Sequence, residues 1–239
     1  MTATRTSPRR GTTALLSGCA VAALFAAMPQ QAAAQSFNGT PELVAGDGAV
    51  TTGPSSTNVQ VFLPETVINW YTFAASNAVV FQPSGTTATF SGARSLSDYT
   101  VLNRILPVDD SNNPVAASVA FNGAVNSVLF GGKQGGNIWF YSPTGIIAGP
   151  TATFNVGSLV LTTDDIQFVP GVPDVSNGSI YGPGGVVQFR GGAGSKGFVE
   201  IQPLASINAD GANAYVALVA PHVPPGGLDD VNCPNCGVT

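Results

Sequence analysis

The feature that most constrains the fold is an apolar strand pattern that stops at a tight polar turn and resumes at once. It runs from Gly136 to Gly149 and reads GNIWFYSPTGIIAG. β-Branched and aromatic residues bounded by glycine and proline are typical of strands. Pro143 presets φ for a turn, and Gly145 can take a positive φ. Another apolar run, 154–161, follows the next Gly-Pro pair, and this succession of strands and corners predicts a β-solenoid.

Further strand-like segments lie on both sides of this turn, separated by glycine and proline. Residues 35–64 are predicted to form an N-terminal β cap, because the first coil of a solenoid must be covered. Residues 65–73 carry large apolar groups in both alternating sets, which indicates a strand buried on both faces, with Trp70 in the core. Residues 124–135 are predicted to be an excursion ending in a glycine-rich loop. The other predicted strands cover residues 79–82, 87–90, 101–105, 118–123, 166–169, 186–189, 198–201, 206–208 and 214–219.

The N-terminus has the pattern of a secretory signal peptide. It contains three arginines, then an apolar run over 14–28, and it ends in a small-residue Ala-x-Ala site. The apolar run is too short for a comfortable membrane span. Cleavage between Ala34 and Gln35 is therefore predicted, and residues 1–34 are assigned to the signal peptide.

Two other export signals overlap this segment. The residues from Leu16 to Cys19 have the form of a lipoprotein box, in which Cys19 would be lipidated, but the apolar stretch continues past the cysteine. The pair Arg9-Arg10 resembles the start of a twin-arginine signal, but Gly11 follows where such signals usually have an apolar residue. An ordinary basic start to a signal peptide is the favoured interpretation.

Composition and charge exclude several functions. Loss of the three N-terminal arginines leaves five basic and 13 acidic residues, a net charge of about −8. An acidic chain without a basic stripe is poorly suited to nucleic acid or to anionic lipid. Charged residues make up 9% of the chain, against about 25% in typical globular proteins, while 44% apolar residues argue against disorder. No segment after the signal has a sustained 3.6-residue period, so almost no helix is expected.

No metal or cofactor site is predicted. Cys233 and Cys236 form a single Cys-Pro-Asn-Cys in the tail, and the lone His222 does not complete a zinc site. A local disulfide or an exposed tail is the simpler interpretation of the two cysteines.

Catalysis is one alternative function, because parallel β-helices include pectin-degrading enzymes that use clustered aspartates. The chain has three aspartate pairs, at 109–110, 164–165 and 229–230, each beside turn-forming residues where aspartate is ordinary. The short sequence elements of those hydrolases are absent, and no Gly-x-Ser-x-Gly elbow occurs. We therefore predict that the protein is not an enzyme.

The turn and its flanking strands resemble the N-terminal secretion domain of filamentous haemagglutinin-type exoproteins, the passengers of bacterial two-partner secretion. The hallmark of that family is Asn-Pro-Asn-Gly-Ile followed by an apolar strand. The candidate motif residues here are Ser142, Pro143, Thr144, Gly145 and Ile146, and the run VGSLVLTT follows at 156–163. Both family asparagines are replaced, by side chains that can still bond nearby backbone.

Other segments share this resemblance, and residues 67–73 and 79–83 match elements near the start of the family's domain. Residues 101–105 read VLNRI, similar to the family's Leu-Asn-Arg-Val. The resemblance puts Asn103 at a solenoid corner, bonded to the backbone of the next coil, with Arg104 as a solvated side chain. Residues 207–223 are similar to the family's second recurring element. The resemblance thus covers about residues 50–223.

The resemblance implies a fold, a route and a role. The fold is all-β: a single-stranded right-handed parallel β-helix of the pectin-lyase type over 35–223, with an irregular tail over 224–239. The route is export to the periplasm, binding to an outer-membrane pore transporter through strand addition, and release to the medium or the bacterial surface. The role is adhesion or surface assembly, with a host or neighbouring cell surface as the possible partner.

Two alternatives remain open: a self-contained structural surface protein that uses no transporter, and a polysaccharide-acting β-helix enzyme. The family pattern fades after Val223, and the last predicted strand, 214–219, is strongly apolar. We therefore expect a truncated passenger that self-associates through its C-terminal coil.

Overall fold

The computed structural model describes residues 35–167, 180–182, 185–211, 213–224 and 231–232, together with Thr2. The chain divides into two compact units, 1–32 and 33–239. Everything below concerns the second unit. The predicted signal peptide, Cys233 and Cys236 lie outside the described residues.

The described part of the chain is all-β and contains no helix. Its strands are short, because glycine, proline or a polar turn interrupts each apolar run within nine residues. In chain order they are β1 Thr40–Ala45, β2 Gly48–Gly53, β3 Ser56–Val61, β4 Glu65–Phe73, β5 Ala78–Gln82, β6 Thr87–Gly92, β7 Thr100–Val108, β8 Ser118–Phe121, β9 Ala124–Val128, β10 Asn137–Tyr141, β11 Gly145–Ala148, β12 Thr153–Val156, β13 Ser158–Thr162, β14 Asp165–Gln167, β15 Gln188–Arg190, β16 Phe198–Ile201, β17 Ser206–Ala209, β18 Val216–Val219 and β19 Val231–Asn232. Among the described residues, no helix has the length and apolar character needed to cross a membrane.

Three sheets contain all of these strands except β14 and β15. The six-stranded sheet has the order β1-β4-β7-β10-β13-β18, the four-stranded sheet β5-β8-β11-β16, and the seven-stranded sheet β2-β3-β6-β9-β12-β17-β19. From β3 to β18, apart from β14 and β15, the chain visits the seven-, six- and four-stranded sheets in turn and then repeats the cycle. Neighbouring strands from successive cycles are therefore parallel.

The first two strands differ from the rest, because they pair antiparallel. β1 lies against β4 and β2 lies against β3, each at the outer edge of its sheet. Just before them, Phe37 is fully buried, with its ring 4.7 Å from Phe81 and 5.2 Å from Trp70. Two sheet edges and one end of the apolar core are thus covered by the segment predicted to be a cap.

The inner residues of all three sheets form one apolar cluster. Phe121 is central to it, with ring centroids 4.7 Å from Phe140, 5.5 Å from Phe81 and 5.7 Å from Phe154. These rings come from the four-, six- and seven-stranded sheets, so the aromatic contacts join the sheets to one another. Trp70 is fully buried in the same cluster, which confirms its predicted place in the core.

The prediction of an excursion over 124–135 was wrong in its first half. Residues 124–128 form β9, which pairs with β6 on one side and β12 on the other. The inward position Ser127 is fully buried and donates its hydroxyl to the carbonyl of Gly136 at 3.1 Å. A small polar residue at an inward position breaks the apolar alternation by which strands are found.

The apolar run 154–161 is likewise two strands rather than one, with a bend at Gly157. A β-carbon built at Gly157 would lie 2.7 Å from the backbone nitrogen and oxygen of Gly136. Two backbones approach so closely there that the bend requires glycine. β12 and β13 consequently belong to different sheets.

The predicted strands 166–169 and 186–189 are not solenoid strands, and 168–169 lie outside the described residues. β14 and β15 pair antiparallel with each other and form a separate two-stranded sheet. We call the described residues 163–167, 180–182 and 185–197 the strap. Its apolar side chains pack on the outer face of the six-stranded sheet, against a row formed by Val67, Leu102, Trp139 and Val160.

Pairing continues beyond the predicted boundary at residue 223. Val231 and Asn232 of β19 pair in parallel with Ile207 and Asn208 of β17. Two residues of the predicted irregular tail, 231–232, therefore belong to the seven-stranded sheet.

Candidate functional site

The predicted secretion motif forms the corner between β10 and β11. Ser142 is fully buried, and its N–H donates to the carbonyl of Thr162 at 3.1 Å. Pro143 is exposed and Thr144 half-buried, whereas Ile146 is fully buried in the inner cluster. Two of the five motif residues at this corner are therefore accessible to solvent, and the other three are buried.

The prediction that Gly145 is needed for a positive φ was wrong. Gly145 is absent from the glycines with positive φ and begins β11. A β-carbon at this position would lie 2.6 Å from Cε1 of Phe198, its partner in β16. Space against the next cycle of strands, rather than backbone conformation, is what favours glycine here.

The hydroxyl of Ser142 does not bond the corner backbone as expected. It is buried and has no hydrogen-bond partner among the described residues. The corner is held instead by backbone pairing, since the Ser142 N–H bonds to β13 and the Thr163 N–H in turn bonds to the carbonyl of Val219 at 3.0 Å.

Asn103 lies in the middle of β7 rather than at a corner, which corrects its predicted position. It is fully buried and points into the inner cluster. Its Oδ1 accepts the indole N–H of Trp70 at 3.1 Å, and its Nδ2 donates to the carbonyl of Trp139 at 3.2 Å. Asn103 does bond the backbone of a neighbouring strand, as predicted, and it links β4, β7 and β10.

Arg104 is not simply a solvated side chain. Its guanidinium forms an ion pair with Asp165 of the strap at 3.2 Å and lies 5.5 Å from the ring centroid of Tyr141. Both charged side chains are partly exposed, at 25% and 34%. Sequence reasoning missed this contact because the partner lies 61 residues downstream, in a segment without a repeat.

Partly buried hydroxyls and one indole form two hydrogen bonds at the interface between the strap and the six-stranded sheet. Trp139 donates its indole N–H to the hydroxyl of Tyr215 at 2.9 Å, and the hydroxyls of Thr100 and Tyr181 lie 3.0 Å apart. Burial raises the pKa of both the Tyr181 and the Tyr215 phenol above its ordinary value. The phenols are therefore neutral at pH 7 and bond as hydroxyls.

The aspartate pairs were predicted to be ordinary turn residues. Asp109 fits this, since its carboxylate accepts the backbone N–H groups of Ser111 at 2.8 Å and Asn113 at 2.9 Å. These bonds, chiefly those from Asn113, lower the pKa of Asp109. Asp164 and Asp165 lie at the base of the strap, and residues 229–230 lie outside the described part. Among the described residues, no group of three or more His, Cys, Asp or Glu could hold a metal ion.

The predicted cleavage site is described only on its C-terminal side. Gln35 is exposed and forms an isolated bridge with Pro54. The structure thus places the predicted mature N-terminus beside the turn that joins β2 and β3.

A scan against models of known protein families gave no match, and a search of curated protein sequences gave none. The resemblance to a secretion domain therefore stays a prediction from the motifs.

Proposed function

We propose that the protein is an exported bacterial passenger of the two-partner secretion type, recognised by an outer-membrane pore transporter and serving adhesion or surface assembly. The observation that carries the proposal is the cyclic succession of strands through three parallel sheets. This arrangement supports the finer proposal that the three sheets wind as a right-handed parallel β-helix, the fold that the resemblance implies.

The burial of the motif residues limits when a transporter could recognise them. Asn103, Ser142 and Ile146 are each fully buried after folding. A partner that contacts their side chains must therefore do so before the chain folds, by adding a strand to an extended segment. Pro143 and Thr144 are the motif residues that remain accessible in the folded protein.

Export from a bacterial host with and without a pore transporter of this type tests the proposal. The protein should reach the medium when the pore is present, starting at Gln35, and stay in the periplasm when it is absent. Pro143→Ala together with Thr144→Ala should reduce export several-fold, because both residues belong to the motif. Pro150→Ala is the matched control, since Pro150 is also an exposed proline at a corner after an apolar strand.

Equal release with and without the pore would contradict the proposal and favour a surface protein that uses no transporter. A lipid-modified Cys19 in the exported protein would overturn the predicted cleavage. Equal export of the motif and control variants would remove Pro143 and Thr144 from the recognition signal.

A further inference from the structure

A cleft opens where the strap leaves the six-stranded sheet, beside the corner that follows β10. Its volume of ≈ 400 Å³ is within the range of about 300–1,000 Å³ that small-molecule sites occupy. The residues that define it are Tyr141, Pro143, Thr163, Asp165, Arg190 and Ser195. The sheet, the corner and the strap each contribute lining residues. The cleft therefore forms where the strap lies on the outer face of the sheet.

The cleft is rich in groups that bond hydroxyls. Thr163 is only 4% exposed, and its buried hydroxyl has no hydrogen-bond partner among the described residues. The hydroxyl of Ser195 accepts the N–H of Gly197 at 3.2 Å, which leaves its own hydrogen to donate. The Asp165 carboxylate accepts two bonds from Arg104 and has further lone pairs.

Charge in and around the cleft is balanced. The ion pair with Arg104 offsets the negative charge of Asp165. Asp164 lies on the Gly191 side, since a β-carbon at Gly191 would be 2.8 Å from its Oδ1, and Arg190 precedes that glycine. Two acidic and two basic side chains give a site that favours neither a phosphate nor a metal ion.

Apolar surface accompanies these polar groups. Tyr141 contributes a largely buried ring, and Pro143 contributes the exposed ring of the corner. An aromatic or proline ring suits the C–H face of a sugar, while carboxylate, guanidinium and hydroxyl groups suit its rim of hydroxyls.

We propose that this cleft binds a neutral saccharide. The proposal goes beyond export by a pore partner, because the cleft belongs to the folded protein and requires no transporter. Asp165 bonds sugar hydroxyls from the floor, and Arg190 and Ser195 bond them from the rim.

A glycan array with neutral, sialylated and sulfated glycans, probed with the purified folded protein, tests the proposal. We expect binding to a subset of neutral glycans. Arg190→Gln and Ser195→Ala should each weaken it, the first by about tenfold, as expected for the loss of one charge-assisted hydrogen bond. Arg190 is exposed, so its replacement should leave the fold intact, which circular dichroism would check.

Arg94→Gln and Ser206→Ala are the matched controls, because both residues are exposed and neither lines the cleft. They should leave glycan binding unchanged. The proposal is overturned if no neutral glycan binds, if only acidic glycans bind, or if cleft and control variants bind alike. Because the array contains no pore, a negative result there is independent of the export experiment.

Discussion

Apolar side chains are buried on both the inner and the outer face of the six-stranded sheet, but different parts of the chain bury them. Ile68, Phe140 and Leu161 on the inner face pack against side chains of the other two sheets. On the outer face, Leu102 and Trp139 pack against the strap. The inner contacts recur with every cycle of the chain, whereas the outer contacts depend on a single segment.

This difference predicts two kinds of response to mutation. Loss of an inner contact affects a cluster shared by all three sheets and should lower the stability of the whole fold. Loss of an outer contact should first release the strap, because one local apolar cluster and a few polar bonds hold it on the sheet.

The largest effect is expected for Phe121→Ala. Phe121 is fully buried and contacts rings from three sheets. The cavity should lower the free energy of unfolding by about 3–5 kcal/mol, measured by denaturant titration. Phe73→Ala is the matched control, because Phe73 is 54% exposed and should have a small effect. Equal effects at the two sites would show that the inner cluster is not the main source of stability.

A smaller loss is expected for Asn103→Leu. The substitution removes the two side-chain bonds from Asn103 to β4 and β10 and leaves the buried indole N–H of Trp70 without a partner. The free energy of unfolding should fall by about 2–3 kcal/mol. Adding Trp70→Phe removes the orphaned donor and should recover part of the loss. If the double variant were less stable by the sum of the single effects, the proposed bond would not exist.

Alkaline pH should destabilise the protein through its buried phenols. Burial raises the pKa of Tyr99 and Tyr215 above the ordinary value of 10. Above pH 10 the unfolded chain releases these protons while the folded chain keeps them, so stability present below pH 10 is lost as the pH rises. Each tyrosine should contribute up to about 1.4 kcal/mol per pH unit. Denaturation between about pH 9 and pH 11 should show this slope, and Tyr99→Phe with Tyr215→Phe should reduce it. An equal slope in wild type and double variant would contradict the account.

The smallest effect is expected at the ion pair between Arg104 and Asp165. Both side chains are partly exposed, so their coupling energy should be below ~1 kcal/mol. A double-mutant cycle of Arg104→Gln and Asp165→Asn, followed by denaturant titration, measures it. A coupling well above this value would mean that the strap is tied to the sheet more firmly than its exposure indicates.

The contrast between local and distant contacts also explains which parts of the structure could be predicted from the sequence. The bounds of β4 were predicted as the structure has them, because period-2 patterning and turn residues are local signals. The corner after β10 was placed correctly for the same reason. β9 was missed because Ser127 interrupts its inward apolar positions.

The contacts of the predicted site were harder to predict from the sequence, because they join residues that are far apart along the chain. Nothing near Gly145 in the sequence shows that Phe198 would occupy the space of a side chain. In the same way, the partners of Asn103 and Arg104 lie 33 or more residues away. Residue type suggested that these positions mattered, but only the pairing of successive cycles shows what they contact.

The most direct test of the contrast uses the two tryptophans of the chain, Trp70 on the inner face and Trp139 on the outer. Each can be observed alone in the Trp139→Phe or Trp70→Phe variant. During denaturant titration, Trp139 fluorescence should change before the β signal in circular dichroism is lost, because the strap detaches first. Trp70 fluorescence should change together with that signal. Coincident transitions for Trp139 and the β signal would contradict the account, since they would show that one cooperative unit buries both faces.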